Sequence, residues 1–268
     1  MSVAVSGAER IAEAFESARA DGRRAALMPY LMAGYPDLEL SRAIARAYVE
    51  GGADLIELGV PFSDPLADGP VIHAADVAAI AAGAKVDDAL GVAREVAEQV
   101  PVVVMCYVNV ILARGLERFA DMLLAVGASG LIVPDLPLEE APAALAALDE
   151  RGLALVPLVA PTTPDERLAQ IGKRARGFLY TVSVTGTTGE RAGNDDGLPG
   201  VLARAKAHTD VPVAVGFGIG TPEQATAAAA AGADGVIIGS RLVRAAGAAA
   251  DPVSEVRELV RAFAAGLG

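Results

Sequence analysis

Apolar residues in this chain fall into short, β-branched runs separated by longer Ala-rich stretches with helical spacing, and the two kinds of segment alternate from end to end. The runs at 26–32, 53–60, 102–107, 130–133, 154–159, 177–183, 213–215 and 235–238 predict strands. The stretches at 38–50, 72–82, 86–99, 114–126, 138–150, 198–207 and 251–265 predict helices, with two more opening at Thr163-Pro164 and Thr221-Pro222, where Thr163 and Thr221 offer N-caps. Gly51-Gly52 ends one helix and Pro101 another. An additional segment, 9–20, places Ile11, Phe15 and Ala18 on one helical face ahead of the first strand.

Such a β/α series calls for parallel pairing with right-handed crossovers, and it closes most simply into a (β/α)8 TIM barrel, here with an extra N-terminal helix. An open doubly wound sheet fits less well: no GxGxxG follows the first strand, and polar residues gather after many strands rather than at one switch point. The 268 residues are close to the roughly 250 typical of one barrel. With no composition break or solenoid period, 1–268 reads as one domain.

Composition then narrows the partners. Hydrophobic residues make up 53% of the chain, but Ala supplies much of that, and no run approaches the ~18 uninterrupted apolar residues of a membrane span. The N-terminus lacks a basic segment followed by an apolar one, so a cytoplasmic protein is expected. A net charge of -12 counts against nucleic acid, which requires a basic stripe. Cys106, in VVVMCYV, reads as a small buried apolar residue, and the spacing of His73 and His208 suggests no metal site.

The chemistry concentrates at 53–72, ADLIELGVPFSDPLADGPVI. Period-2 alternation puts Leu55, Glu57 and Gly59 on one strand face and Ile56 and Leu58 on the other, so Glu57 points where Leu55 points. A carboxylate there is costly unless it is paired with a cation or used. Pro61, Pro65 and Pro70 then stiffen a loop carrying Asp64 and Asp68, and this loop can return Asp68 toward Glu57. In a barrel, loops after strands share the C-terminal face, where Tyr107, Asn109, Asp135, Tyr180 and Ser183 also converge. Either tyrosine can equally serve as a core aromatic with its hydroxyl on the backbone.

A second constellation comprises GFGIGTPEQ at 216–224 and ADGVIIGSRLV at 233–243. Gly216, Gly218, Gly239 and Ser240 lie after the last two strands, where chain turns into helix N-termini. Barrels commonly hold a substrate phosphate there, through backbone amides that an acidic protein can supply without lysines. None of Lys85, Lys173 and Lys206 stands at a strand end, which excludes an aldolase working through a Schiff base.

These motifs, LMPYLMAGYPD, ELGVPFSDPLADGP, VPDLPLEE, the TG-x-TG loop and GFGI with GS, together resemble the tryptophan synthase alpha chain family over nearly the whole sequence. The resemblance implies a lyase that splits indole-3-glycerol phosphate into indole and glyceraldehyde 3-phosphate. It implies no cofactor of the chain's own and a pyridoxal phosphate-dependent beta chain as partner in an alpha2beta2 tetramer. By motif, Glu57 and Asp68 match the catalytic carboxylates, and Thr188 matches the lid threonine. Gly189, Gly218, Gly239 and Ser240 match the phosphate site, while Tyr30, Tyr107, Ile132, Leu158 and Tyr180 fall where the family lines its indole pocket. The beta chain is implied to dock on the side of Phe62 and Asp64. Two departures stand out: the lid commonly reads S-R-x-G-V-T-G, whereas here Val184 follows Ser183 and Thr187 takes the Val position; and Tyr30 stands where Phe is frequent. A stand-alone lyase and a regulatory barrel without activity remain as alternatives.

Overall fold

The apolar run at 154–159 forms two strands instead of one, because Pro157 has no amide hydrogen to give to a ladder. The structure is a computed structural model that describes residues 5–182, 197–216 and 218–268. Among them the strands are β1 (Ala26–Met32), β2 (Ile56–Gly59), β3 (Val102–Met105), β4 (Gly130–Ile132), β5 (Ala154–Val156), β6 (Leu158–Val159), β7 (Leu179–Val182), β8 (Val213–Gly216) and β9 (Gly235–Ile238). Their order is β5-β4-β3-β2-β1-β9-β8-β7-β6, with every ladder parallel. β5 and β6 stand at opposite ends of that order, yet only Pro157 separates them in the chain. β5 pairs with β4 through Gly130↔Ala154 and Ile132↔Val156, whereas β6 pairs with β7 through Leu158↔Tyr180 and Val159↔Thr181. The Pro157 carbonyl accepts the Tyr180 amide at 3.0 Å. The sheet therefore closes into the expected barrel.

Helices α1 (Gly7–Ala20), α2 (Leu38–Gly51), α3 (Pro70–Ala81), α4 (Val86–Val96), α5 (Val108–Leu112), α6 (Leu116–Ala125), α7 (Pro142–Asp149), α8 (Asp165–Arg174), α9 (Leu198–Lys206), α10 (Pro222–Ala230), α11 (Ser240–Ala248) and α12 (Pro252–Gly266) accompany the strands. Strand side chains alternate between two cores. Leu27, Leu31, Ile56, Leu58 and Val104 pack outward among the helices, and Met28, Leu55, Val103, Met105 and Ile237 fill the barrel. Burial on both faces explains why the strands read as continuous apolar runs.

The extra N-terminal helix closes one barrel mouth. Ser6 and Glu9 form a reciprocal cap, with each side chain accepting the other's amide. Ile11, Phe15 and Ala18 are buried as expected, and Phe15 lies 6.0 Å from Phe178 at the start of β7. Polar chemistry is left to the opposite mouth, at the strands' C-terminal ends.

Several boundaries differ from the sequence reading. The third strand ends at Met105, and Tyr107 instead N-caps the short α5. The predicted helix at 114–126 starts at Leu116, after Gly115 with φ of 84°. The one predicted at 138–150 starts at Pro142, and the one predicted at 72–82 starts at Pro70; proline suits the first helical turn in both. Thr163 does not cap α8. The N-cap is Pro164, and the Thr163 hydroxyl accepts the Ala160 amide at 2.9 Å within the preceding turn. Among the described residues no helix is long and apolar enough to cross a membrane.

Candidate active site

β2 delivers Glu57 to the barrel interior at a register where Tyr30 of β1 and Val103 of β3 flank it. Its side chain is 1% exposed, and no ion pair among the described residues holds it. Oε2 has no hydrogen-bond partner. The cation that would make Glu57 merely structural is therefore missing from its described surroundings. Burial, and secondarily the Asp68 charge, pushes its carboxyl up to about 8.

The loop after β2 does return Asp68 to Glu57. The Val60 amide donates to the Met105 carbonyl at 2.9 Å and the Asp68 backbone amide donates to the Pro65 carbonyl at 3.2 Å, folding the loop over the mouth. The Tyr107 hydroxyl donates to Asp68 Oδ2 at 2.8 Å and accepts the Ala67 amide at 3.0 Å. Burial raises the Asp68 carboxyl, while the Tyr107 bond and the nearby His73 act the other way and favour its charged form.

Glu57 and Asp68 share one cavity with Tyr30, Ile72, Met105, Tyr180, Gly218, Ile219, Ile237, Gly239 and Ser240. Both tyrosines reach it because glycine lies beneath each: a Cβ at Gly59 would collide with the Tyr30 hydroxyl, and one at Gly216 with that of Tyr180. Gly216 thus makes room for an aromatic ring. Burial, together with the surrounding carboxylates, raises both phenols, so they remain neutral donors.

Three residues expected in the pocket are not among those that line this cavity, although Ile132 and Leu158 pack in the same core cluster as Tyr180, Met105 and Ile237. Tyr107 stands behind Asp68 and outside the cavity. Ile132 is fully buried beside Met105 in the barrel core. Leu158 lines a separate cleft of about 550 Å³ between the 133–138 loop and α8. Conversely, the cavity also takes Ile72, Met105, Ile219 and Ile237. Met105 and Ile237 follow from strand alternation, two residues from an inward neighbour, whereas Ile72 and Ile219 carry no such signal. Thr188 and Gly189, along with Ser183, Val184 and Thr187, lie outside the described residues.

The two glycine motifs prove unequal. In α10 the Thr221 capping box is complete, with Gln224 accepting the Gly220 and Thr221 amides at 2.7 and 3.2 Å, so that N-terminus is already occupied. α11 begins at Ser240 with Gly239 as its N-cap and no side-chain cap, and Gly239 and Ser240 open onto the cavity. Its first amides are the better anion site. Gly218, with φ of 88°, takes a backbone shape that favours glycine.

Outside the cavity, Phe62 is half-buried, stacked on Tyr107 with ring centroids 4.9 Å apart. Asp64 is exposed, and it is not unpaired, since the Ser63 hydroxyl donates to it at 2.6 Å. Asp135 accepts the Val108 amide at 2.9 Å and so ties α5 to the loop after β4. Burial pushes the Cys106 thiol up to about 12, in keeping with an inert core residue.

A match to the family model described as tryptophan synthase alpha chain spans residues 15–266. The chain belongs to that family. The alpha chain of Synechococcus elongatus is 50% identical over 235 residues, 87% of this chain and 88% of that one. The alpha chain of Trichormus variabilis is 42% identical over 261 residues, 96% and 98% of the two chains. Among solved structures, Mycobacterium tuberculosis tryptophan synthase superposes with a TM-score of 0.90 at 43% identity, covering 96% of this chain and 98% of the other. The alpha subunit of Legionella pneumophila gives 0.84 at 36% identity, covering 96% and 98%.

Proposed function

We propose that Glu57 and Asp68 perform the lyase reaction of the tryptophan synthase alpha chain family in this protein, cleaving indole-3-glycerol phosphate to indole and glyceraldehyde 3-phosphate. The observation that carries this reading is the buried, unpartnered oxygen of Glu57, a residue that lines one cavity together with Asp68. Retro-aldol cleavage needs one group that gives a proton and then takes one. The neutral Glu57 acid protonates indole C3, which becomes tetrahedral. The resulting Glu57 carboxylate removes the proton from the hydroxyl on the attached carbon. That C–O becomes the aldehyde carbonyl, and the electrons of the breaking C–C bond return to the ring as indole. A carboxyl raised to about 8 can do both steps near neutral pH.

Asp68 accepts the indole N–H and balances positive charge as it develops on the ring, a role favoured by the Tyr107 hydrogen bond to its charged form. The substrate phosphate sits at the start of α11, on Gly239 and Ser240, with Gly218 alongside. Ile72, Met105 and Ile237 offer apolar walls to the ring. No cofactor enters this scheme. Alpha chains of this family partner with a beta chain. We extend this to an alpha2beta2 assembly docked at Phe62 and Asp64, in the cytoplasm, with the pyridoxal phosphate held by the beta chain. The test is indole release from indole-3-glycerol phosphate by the purified chain, alone and with its beta chain. Activity only in the presence of that partner retains the lyase reading; its absence in both leaves a regulatory barrel.

A further inference from the structure

Asp76, on the second turn of α3, is 1% exposed, in a stretch whose inward neighbours Ile72, Ala75 and Ala79 are apolar. A buried carboxyl with nothing to do there is unfavourable, and an apolar residue would pack more cheaply. Its Oδ1 accepts the Phe62 amide at 3.0 Å, across fourteen residues of chain. Its Oδ2 is buried without a partner. No cation among the described residues pairs with it.

The Phe62 bond gives this acid a purpose. Phe62 stacks on Tyr107 at 4.9 Å, and Tyr107 holds Asp68 at 2.8 Å while accepting the Ala67 amide at 3.0 Å. Asp76, Phe62, Tyr107 and Asp68 therefore form a circuit around the loop at 60–69. One end is fixed by the helix that follows Asp68, the other by the ring that buttresses it. We propose that Asp76 is a positioning residue of the lyase site, whose buried acceptor fixes the Phe62 backbone so that Tyr107 sets Asp68 against the substrate. This rests on the role given to Asp68 above. Asp76 itself does not touch the cavity. Burial raises its carboxyl to about 7, against the pull of the Phe62 amide and with the push of Asp68. Over mildly acidic pH it is thus a neutral acceptor that an asparagine reproduces.

The experiment measures kcat and KM for indole release by the full chain carrying Asp76→Ala, Asp76→Asn, Phe62→Ala and the Asp76→Ala/Phe62→Ala pair, alongside thermal unfolding. A misplacement of about 1 Å at a reacting group costs on the order of 100-fold in rate, so Asp76→Ala is expected to lower kcat by that order with KM little changed. Asp76→Asn restores kcat to within about 3-fold, since the amide oxygen accepts the same hydrogen bond. Phe62→Ala lowers kcat in the same manner, and the double variant is little worse than either single one, as residues acting through one path are not additive. Should Asp76→Ala not fold, Phe62→Ala and Asp76→Asn still decide. Unchanged kcat in Phe62→Ala, or in an Asp76→Ala chain that only melts earlier, overturns the proposal. So does an Asp76→Asn loss as deep as that of alanine, which would mean that the charge and not the acceptor matters. An Asp68→Asn control separates failures: if it retains full activity, the role of Asp68 is wrong, whatever Asp76 does.

Discussion

The Tyr107 hydroxyl donates to Asp68 from behind, outside the cavity that Asp68 enters. In the proposed reaction Tyr107 therefore acts only through the carboxylate it holds. Its hydrogen bond lowers the Asp68 pKa against the effect of burial. Tyr107→Phe removes this bond, so Asp68 takes up its proton at higher pH than in the parent. The acid limb of the kcat profile is expected to move toward neutral pH, with a smaller loss at pH 8 than at pH 6. A profile that falls evenly at all pH values counts against this.

Glu57→Gln is expected to abolish indole formation while the substrate still binds, because glutamine keeps size and hydrogen bonding but exchanges no proton. Stability offers an independent check. The folded-state pKa of Glu57, about 8, lies above its unfolded value. Its contribution is thus fully present below about 4.3, the ordinary glutamate range, and is lost as pH rises to about 8. Glu57→Gln lacks this loss, so its unfolding midpoint relative to the parent should rise between pH 5 and pH 8.5. A constant difference would mean that Glu57 is not buried as an acid.

Gly239 allows a cleaner test of the proposed phosphate site than Gly218. Gly218, at φ of 88°, is strained by any side chain, whereas Gly239 has φ of -105° and its nearest neighbour, Tyr30 Cβ, is 3.9 Å from a built Cβ. Gly239→Val should fold and crowd the anion. Loss of one charge-assisted hydrogen bond, about 1.5–3 kcal/mol, corresponds to a roughly 10- to 150-fold weaker affinity for glyceraldehyde 3-phosphate. Binding of free indole, measured by calorimetry, should change far less. Equal losses would indicate a collapsed barrel mouth.

The strands and the placement of Glu57 were legible because period-2 alternation survives burial on both faces. Leu55 and Glu57 do share the inner face, with Ile56 and Leu58 outside. Pro157 was not legible as a break, since ALVPLV keeps its apolar pattern through the proline, and only the closing of the sheet shows the two halves pairing in opposite directions around the barrel. Ile132 and Leu158 point to the same limit: strand position follows from sequence, but depth along the barrel axis depends on register. Asp76 was missed for another reason. It reads as an ordinary polar residue on an Ala-rich helix, and its hydrogen-bond partner, the Phe62 amide, lies on a loop fourteen residues earlier in the chain.

That loop also carries the last prediction. Leu66 is 85% exposed, an unusual position for a large apolar side chain on a rigid, Pro-flanked loop, and Asp64 stands exposed beside it. Phe62 on the same loop stacks on Tyr107, which holds Asp68. A beta chain that covers Leu66 and meets Asp64 would bear on the segment whose geometry sets Asp68. Binding can raise the rate only if the partner prefers the arrangement in which Asp68 is in place, because a ligand with equal affinity for both states shifts nothing. The isolated chain is therefore expected to be a slow lyase that its beta chain accelerates. Asp64→Ala and Leu66→Ser should reduce that acceleration far more than the basal rate, since neither side chain lines the cavity. Ser63 already occupies one Asp64 oxygen, so an Asp64 that serves only its own turn would leave the fold of activation unchanged in Asp64→Ala. Rates with and without a saturating beta chain decide between the two. If Leu66→Ser alone blunts activation, the contact is apolar and Asp64 is the bystander.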